Sequence, residues 1–171
     1  MKLLSFALML FLTAPALIAD DRDVDYDPQA DFSKYKTFML REGQIVTKVP
    51  DLNSPLVRKK IDAAIRAQLS AKGLREVENQ ADLVVTYRLG SAQRREVESF
   101  PAGRWGRLRR VGTFRFTEGT LVIDLMNRQP RDLVWRGIYR DDESSPSKIS
   151  DKLPNDIKKL FNEYPPKKKK S

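Results

Sequence analysis

Polar and apolar residues alternate along several short segments of this chain and recur at helical spacing in two others. Alternation with a period of two predicts strands that bury one face. The segments with this period lie at residues 23–27, 32–40, 74–78, 82–89, 119–126 and 132–140. Residues 41–53 contain Gly43, Pro50 and Asn53, and the sequence predicts a loop there.

The clearer helix begins at Pro55. Ser54 is a favourable N-cap, and proline at the first helical position loses no hydrogen bond. The apolar positions that follow share one helical face, and they are Val57, Ile61, Ala64, Ile65 and Leu69. Gly73 is a typical residue at the end of a helix.

A second helix is predicted before Pro165 and Pro166, which end it. Its apolar residues at helical spacing are Ile149, Leu153, Ile157, Leu160, Phe161 and Tyr164. Pro154 lies within this run. A start with Asp151 as the cap is favoured because it puts Pro154 in the first turn, where no internal hydrogen bond is lost. The alternative is a kinked helix that starts at Ser147.

The order of strand, helix, several strands and helix predicts an α+β fold. We expect two layers, with a mostly antiparallel sheet of about four to five strands and both amphipathic helices packed on one face. Residues 119–126 and 132–140 are expected to form a hairpin. Leu133, Trp135 and Tyr139 are placed on its buried face. Gly137 falls on the same face and would let a helix approach closely.

The N-terminal residues have the pattern of a secretory signal peptide. Lys2 precedes an apolar run at 3–18, and an acidic segment with Arg22 follows it. The run is shorter than the roughly 20 residues that span a bilayer. Cleavage after Ala19 is favoured, with cleavage after Ala16 as the alternative and an uncleaved anchor as the other interpretation. The domains expected are therefore a signal peptide at 1–19, one α+β domain at 20–166 and a disordered basic tail at 167–171.

The chain contains no cysteine and no histidine. A lipid anchor on cysteine, a Cys-His zinc site and a Ser-His-Asp triad are thereby excluded. The sequence predicts no enzyme, no cofactor and no metal site. Asp23, Asp25 and Asp27 resemble the start of a calcium loop, but Pro28 and Lys34 occupy the positions of its glycine and glutamate. Asp124 is expected to face solvent.

The net charge of +9 is concentrated in two places, which are residues 94–115 and the lysine tail. Seven arginines lie at 94–115 against Glu96 and Glu98, and the segment is predicted to be a loop. An arginine can bind a phosphate through two parallel hydrogen bonds, and tryptophan favours membrane interfaces. The candidate anion-binding residues are Arg104, Trp105, Arg107, Arg109 and Arg110. The other interpretation is a solvated loop that keeps the protein soluble.

Several segments together resemble one family of bacterial proteins. They are residues 24–27, 31–38, 61–74, 81–87, 118–137 and 160–166. The chain is similar in these segments to the domain of unknown function 4136 family. The resemblance implies an envelope protein, often lipid-anchored, with no established activity. This chain departs from the family pattern by lacking the lipidated cysteine and by carrying arginines where the family often has aromatic residues and glycines.

The function predicted is that of an exported, periplasmic, non-enzymatic accessory protein that binds an envelope component. The alternative is binding of anionic lipid or lipopolysaccharide through the basic loop at 94–115. The expected partners are an envelope protein or anionic lipid. Nucleic acid is not expected for an exported chain, and no transmembrane segment is expected in the mature protein.

Overall fold

A computed structural model describes residues 21–102, 108–129, 132–143 and 145–167 of the chain. It contains strands β1 (Asp21–Tyr26), β2 (Thr37–Leu40), β3 (Gln44–Val46), β4 (Arg75–Glu76), β5 (Leu83–Ala102), β6 (Leu108–Asn127) and β7 (Leu133–Glu143). The helices are α1 (Pro55–Ala71) and α2 (Pro146–Phe161), and Phe32–Lys34 form a short 3-10 turn. The predicted signal peptide lies outside the described residues.

The strands form one sheet in the order β1-β7-β6-β5-β2-β4, and β3 pairs with β5 beside β2. The pairings among β1, β7, β6 and β5 are antiparallel. Those of β2 with β5, β2 with β4 and β3 with β5 are parallel. The α+β class is confirmed, but the estimates of four to five strands and of a mostly antiparallel sheet are wrong. The sequence did not reveal β3, which lies in the segment predicted to be a loop.

Both helices cover the same face of the sheet. Odd-numbered residues of β5 and β6, from Leu83 to Leu89 and from Leu121 to Leu125, are 0–3% exposed. They form one core with the apolar faces of the helices. Even-numbered residues lie on the other face, which no described helix covers. There Arg136 donates two hydrogen bonds to Asp124, of 2.6 and 2.8 Å, so this carboxylate is paired rather than simply solvated.

Helix α1 follows the prediction closely. The Ser54 hydroxyl accepts a hydrogen bond from the N–H of Leu56, and Pro55 is the first helical residue. The five residues predicted for its apolar face are all buried. Gly73 ends the helix with a φ of +85°, a conformation that favours glycine.

Helix α2 starts earlier than the preferred prediction, at Pro146, and Pro154 lies inside it. The early start has a physical reason in Ile149, which is 2% exposed and packs with Val49 and Leu52 in a second apolar cluster. Burying one such side chain stabilises the first turns by about 1.5–3 kcal/mol. A start at Asp151 would have left Ile149 outside the helix.

The hairpin of β6 and β7 is confirmed, with one irregularity. A register shift between Leu125 and Met126 places Val134 opposite no residue of β6. Val134 and Trp135 are both buried, whereas Leu133 is 38% exposed, so its predicted burial is wrong. Gly137 does admit a helix: a Cβ there would lie 3.3 Å from Leu160 of α2 and 2.6 Å from the Trp135 ring.

Candidate functional site

An aromatic cluster joins the two ends of the described chain. Tyr164 lies at its centre, with its ring centroid 5.7 Å from Phe32 and 5.8 Å from Trp135. Both contacts are nearly perpendicular, which is a favourable geometry for aromatic pairs. Trp135 also stacks on Phe161 at 5.3 Å. Burial raises the pKa of the Tyr164 hydroxyl, so this residue stays neutral at physiological pH.

A groove of about 600 Å³ opens beside this cluster. Its apolar lining consists of Tyr26, Pro28, Ala30, Phe32, Pro165 and Pro166. The polar lining consists of Asp27, Asp31, Ser33 and Lys167. The volume falls within the range of known ligand sites, roughly 300–1,000 Å³. The groove is thus a concave and mainly apolar surface of a size that suits a ligand.

The carboxylates of the groove hold its wall together. Asp27 Oδ1 accepts a hydrogen bond of 2.8 Å from the N–H of Gln29. Asp31 Oδ1 accepts bonds from the N–H and the hydroxyl of Ser33, at 3.2 and 2.7 Å. These are local turn contacts of a common kind. The groove therefore offers a ligand mainly aromatic and proline surface.

The sequence did not reveal this groove. Its two walls, 26–33 and 165–167, lie more than a hundred residues apart, and only the strand order brings them together. One signal was available in the helical spacing that placed Phe161 and Tyr164 on a buried face. That spacing identifies two residues of the aromatic cluster beside the groove, but it does not identify Phe32, which Tyr164 contacts.

The basic segment is not the predicted loop. Residues 94–102 belong to β5 and 108–115 to β6, and the two strands pair without a register shift from Leu83–Asn127 to Ala102–Leu108. Strand β7 pairs with β6 only from Thr117 onward. We call residues 92–102 and 108–116 the ribbon. At about 3.3 Å per residue its longer strand extends roughly 35 Å beyond the rest of the sheet.

Two of the predicted anion-binding residues, Arg109 and Arg110, belong to the half of the ribbon farther from the rest of the sheet. Arg109 pairs in register with Pro101, and Arg110 pairs with Phe100. Arg104, Trp105 and Arg107 lie outside the described residues. The ribbon and the groove are at opposite ends of the sheet, because Tyr26 pairs with Trp135 at one end of β7 while the ribbon begins beyond the other end.

A buried carboxylate, Asp156, and a partly buried one, Asp141, lie between β7 and α2. Asp156 is 3% exposed, and its pKa is raised to about 6, first by burial and further by the nearby Asp141. A hydrogen bond from Tyr139 and the charges of two lysines act in the opposite direction. Lys152 lies 3.4 Å from Asp141, and Lys159 lies 3.8 Å from Asp156. This cluster carries little net charge, and none of its members lines the groove.

The described residues contain no cluster of three or more histidine, cysteine or acidic side chains that could hold a metal ion. Asp23 and Asp25, which resemble the start of a calcium loop, are exposed residues of the edge strand β1. Within the same ranges, no helix has both the length and the apolar character needed to cross a membrane.

A family model described as Domain of unknown function (DUF4136) matches residues 22–166. The chain belongs to the DUF4136 family. This confirms the family indicated by the sequence. The match includes nearly all of β1, the three prolines of the groove and the whole ribbon, so both surfaces belong to the DUF4136 domain of this chain.

Solved structures share the fold of this DUF4136 protein. A PDZ domain protein from Parabacteroides distasonis is 13% identical, with a TM-score of 0.60 over 86% of this chain and 36% of that chain. This chain thus corresponds to about a third of that protein's length. A neuraminyllactose-binding hemagglutinin homolog from Helicobacter pylori is 15% identical, with a TM-score of 0.53 over 79% of this chain and 86% of its own.

A more distant likeness is to lipoprotein GNA1162 from Neisseria meningitidis. It is 10% identical, with a TM-score of 0.41 over 74% of this chain and 98% of that chain. The first two structures, at 13% and 15% identity, support the fold alone, and nothing is concluded from the third. No curated protein matches the chain at a significant level.

Proposed function

We propose that this protein is an exported, non-enzymatic accessory protein of the cell envelope that binds an extended segment of another envelope protein. In this proposal residues 1–19 are a signal peptide, residues 20–166 act in the periplasm as one domain, and the basic tail follows. The N-terminal sequence pattern supports export, and membership of the DUF4136 family agrees with an envelope role.

The observation that carries this proposal is the groove at the aromatic cluster. Tyrosine, phenylalanine and proline form its walls, and surfaces of this kind suit extended proline-containing segments. The Ser33 hydroxyl in its lining donates to Asp31 and serves the turn. The groove therefore supports binding better than chemical transformation.

The test introduces a charge into the groove without removing any core side chain. Ala30→Glu places a carboxylate on the apolar lining, whereas Gln29→Glu adds the same charge at an exposed neighbour that does not line the groove. We expect a stable partner protein to be captured from envelope extract by the wild-type chain and by Gln29→Glu, but not by Ala30→Glu. Equal capture by all three chains would contradict a role for the groove.

A second function has its own support in the ribbon. Binding of anionic lipid or lipopolysaccharide needs a basic surface that can approach a membrane without obstruction by the rest of the protein. The paired strands extend beyond the rest of the sheet. The arginines of the described ribbon are Arg94, Arg95, Arg109, Arg110 and Arg115. Each arginine near an anionic membrane contributes about 1 kcal/mol to binding.

This second function is tested by sedimentation with vesicles that contain phosphatidylglycerol. Binding should weaken steeply as salt is raised, because the attraction is screened within about 10 Å at 0.1 M ionic strength. We expect Arg109→Ser combined with Arg110→Ser to lower the affinity, and neutral phosphatidylcholine vesicles to bind weakly. Binding that is unaffected by salt and by both substitutions would exclude this function.

A further inference from the structure

One edge of the sheet is open at strand β1. This strand pairs with β7 on one side and comes first in the strand order, so no described strand pairs with its other side. It has six residues, whereas β4 at the opposite edge has only two. An unpaired strand of this length offers its backbone groups to an additional strand, which is a common way of binding an extended peptide.

The backbone groups that face this open side follow from one hydrogen bond. The N–H of Asp27 donates to the carbonyl oxygen of Val134, beside β7, at 3.1 Å. In an antiparallel pair, every second residue of a strand bonds to the neighbouring strand, so Asp23 and Asp25 also direct their backbone groups toward β7. The backbone groups that point away from β7 therefore belong to the even-numbered residues, which are Arg22, Val24 and Tyr26.

The side chains of β1 differ in chemistry between the two faces of the sheet. Asp23 and Asp25 are exposed on the face that no described helix covers. On the other face Val24 and Tyr26 are half-buried and pack against the core. Tyr26 and Asp27 also line the groove, so the groove begins where the open edge ends.

A second copy of the chain is a poor partner for this edge. If two β1 strands paired through their outward backbone groups, odd-numbered residues would lie opposite odd-numbered residues in every register. All odd-numbered residues from 21 to 27 are aspartates. Like charges at directly opposite positions destabilise a sheet, whereas opposite charges stabilise it. The edge therefore disfavours itself and favours a strand with lysine or arginine at every second position.

We propose that the open edge of β1 and the groove together bind one extended protein segment that carries a basic residue at every second position. The segment adds to the sheet as an antiparallel strand, like all the pairings among β1, β7, β6 and β5. Its basic residues lie opposite Asp23 and Asp25, and the residues between them are apolar and extend the face of Val24 and Tyr26. Proline cannot donate to the ladder, so the prolines of the segment lie beyond the strand, in the groove.

This inference rests on the proposed binding of an extended envelope segment and names the chemistry of that segment. The test measures the affinity of the full chain for the synthetic peptide Pro-Pro-Val-Lys-Val-Lys-Val by calorimetry. Val24→Pro removes an outward N–H that no bond to β7 uses, and proline is tolerated at such edge positions. Val24→Ala also shortens the side chain but keeps the N–H. We expect Val24→Pro to weaken binding about tenfold and Val24→Ala less than about threefold. Equal losses would overturn binding through the backbone of β1.

A reversal of charge tests the basic character of the segment, and it serves if Val24→Pro fails to fold. Asp23→Lys should weaken binding of the lysine peptide about fivefold and strengthen binding of a peptide in which glutamate replaces both lysines. Asp51→Lys makes the same change at an exposed residue outside β1 and should leave both affinities within about twofold. A wild-type chain that binds the two peptides equally, or binds neither, would overturn the inference.

Capture of the envelope partner separates this inference from the proposed function. If Ala30→Glu abolishes capture while Asp23→Lys and Val24→Pro capture the partner as well as the wild-type chain does, the edge inference is overturned and binding in the groove survives. If the wild-type chain captures no partner, the proposed function fails, and the peptide affinities alone decide whether the edge binds a basic strand.

Discussion

Strands β5 and β6 pass through two environments, and the contrast between them explains much of this protein. Residues 83–90 and 119–127 lie within the sheet and contribute to its core, with both helices on one side. In the ribbon the same strands continue, and residues 92–102 pair with β6 alone among the described strands. The first region is stabilised by apolar burial, whereas the second has ladder hydrogen bonds and a high density of charge. The core length of these two strands therefore supplies stability, and the ribbon is the length to which the second proposed function assigns lipid binding.

The largest effect is expected from Trp135, at the centre of the core region. Trp135→Ala removes a fully buried ring that stacks on Phe161, and substitutions of this kind cost about 3–5 kcal/mol of unfolding free energy. Leu133→Ala is the matched control two residues earlier, where the side chain is 38% exposed. Denaturant unfolding should show a large loss for Trp135→Ala and a small one for Leu133→Ala. Similar losses of unfolding free energy in the two variants would mean that the aromatic cluster does not stabilise the core.

The next effect concerns Asp156, a charge buried in the core region. Its folded pKa of about 6 lies above the ordinary value, so the carboxyl stabilises the fold at low pH and loses this contribution as the pH rises through about 6. Asp156→Asn removes the titration. Between about pH 4 and 7 the wild-type chain should lose about 2–3 kcal/mol relative to this variant.

Unfolding of both chains at several pH values measures that difference. Asp51→Asn, at an exposed position, is the control and should follow the wild-type chain throughout. A constant difference between the wild-type chain and Asp156→Asn would show that the pKa of Asp156 is not raised by folding.

The smallest effect on stability is expected from removing the ribbon. Gln93 and Thr117 face each other in register, so Asn-Gly can replace residues 94–116 as a two-residue hairpin turn. We expect the unfolding free energy to change by less than about 1 kcal/mol, because no core residue is removed. Vesicle binding should be lost in the same variant. A destabilisation as large as that of Trp135→Ala would show that the ribbon contributes to the unfolding free energy as much as the core region does.

The same contrast shows how far the sequence could be interpreted. Within the core region one face of each strand is buried, so alternation at 82–89 and 119–126 predicted the strands and their inner residues. In the ribbon, arginines and glutamates follow one another at 94–96, so the sequence shows no alternation of apolar and polar residues there. The arginines then looked like a solvated loop. A strand as short as β3 contains too few residues to show a period at all.

The candidate sites were predictable to different degrees for a related reason. The arginines of the ribbon could be found because they are close in sequence, although their position on paired strands required the register of β5 and β6. The groove could not be found, since Phe32 and Pro165 meet only after β1 and the end of α2 reach the same edge of the core. Local sequence patterns contain no information on tertiary contacts between segments this far apart in the chain.

Hydrogen exchange of the wild-type chain, with and without phosphatidylglycerol vesicles, is the most direct test of the claim that the core region supplies stability and the ribbon binds anionic lipid. Without vesicles, amides at 83–90 and 119–127 should exchange slowly and those of the ribbon quickly, because a ladder covered by packed helices opens less often. With vesicles, the ribbon amides alone should become protected. Protection confined to the groove segments 26–33 and 165–167, with the ribbon unchanged, would contradict the account.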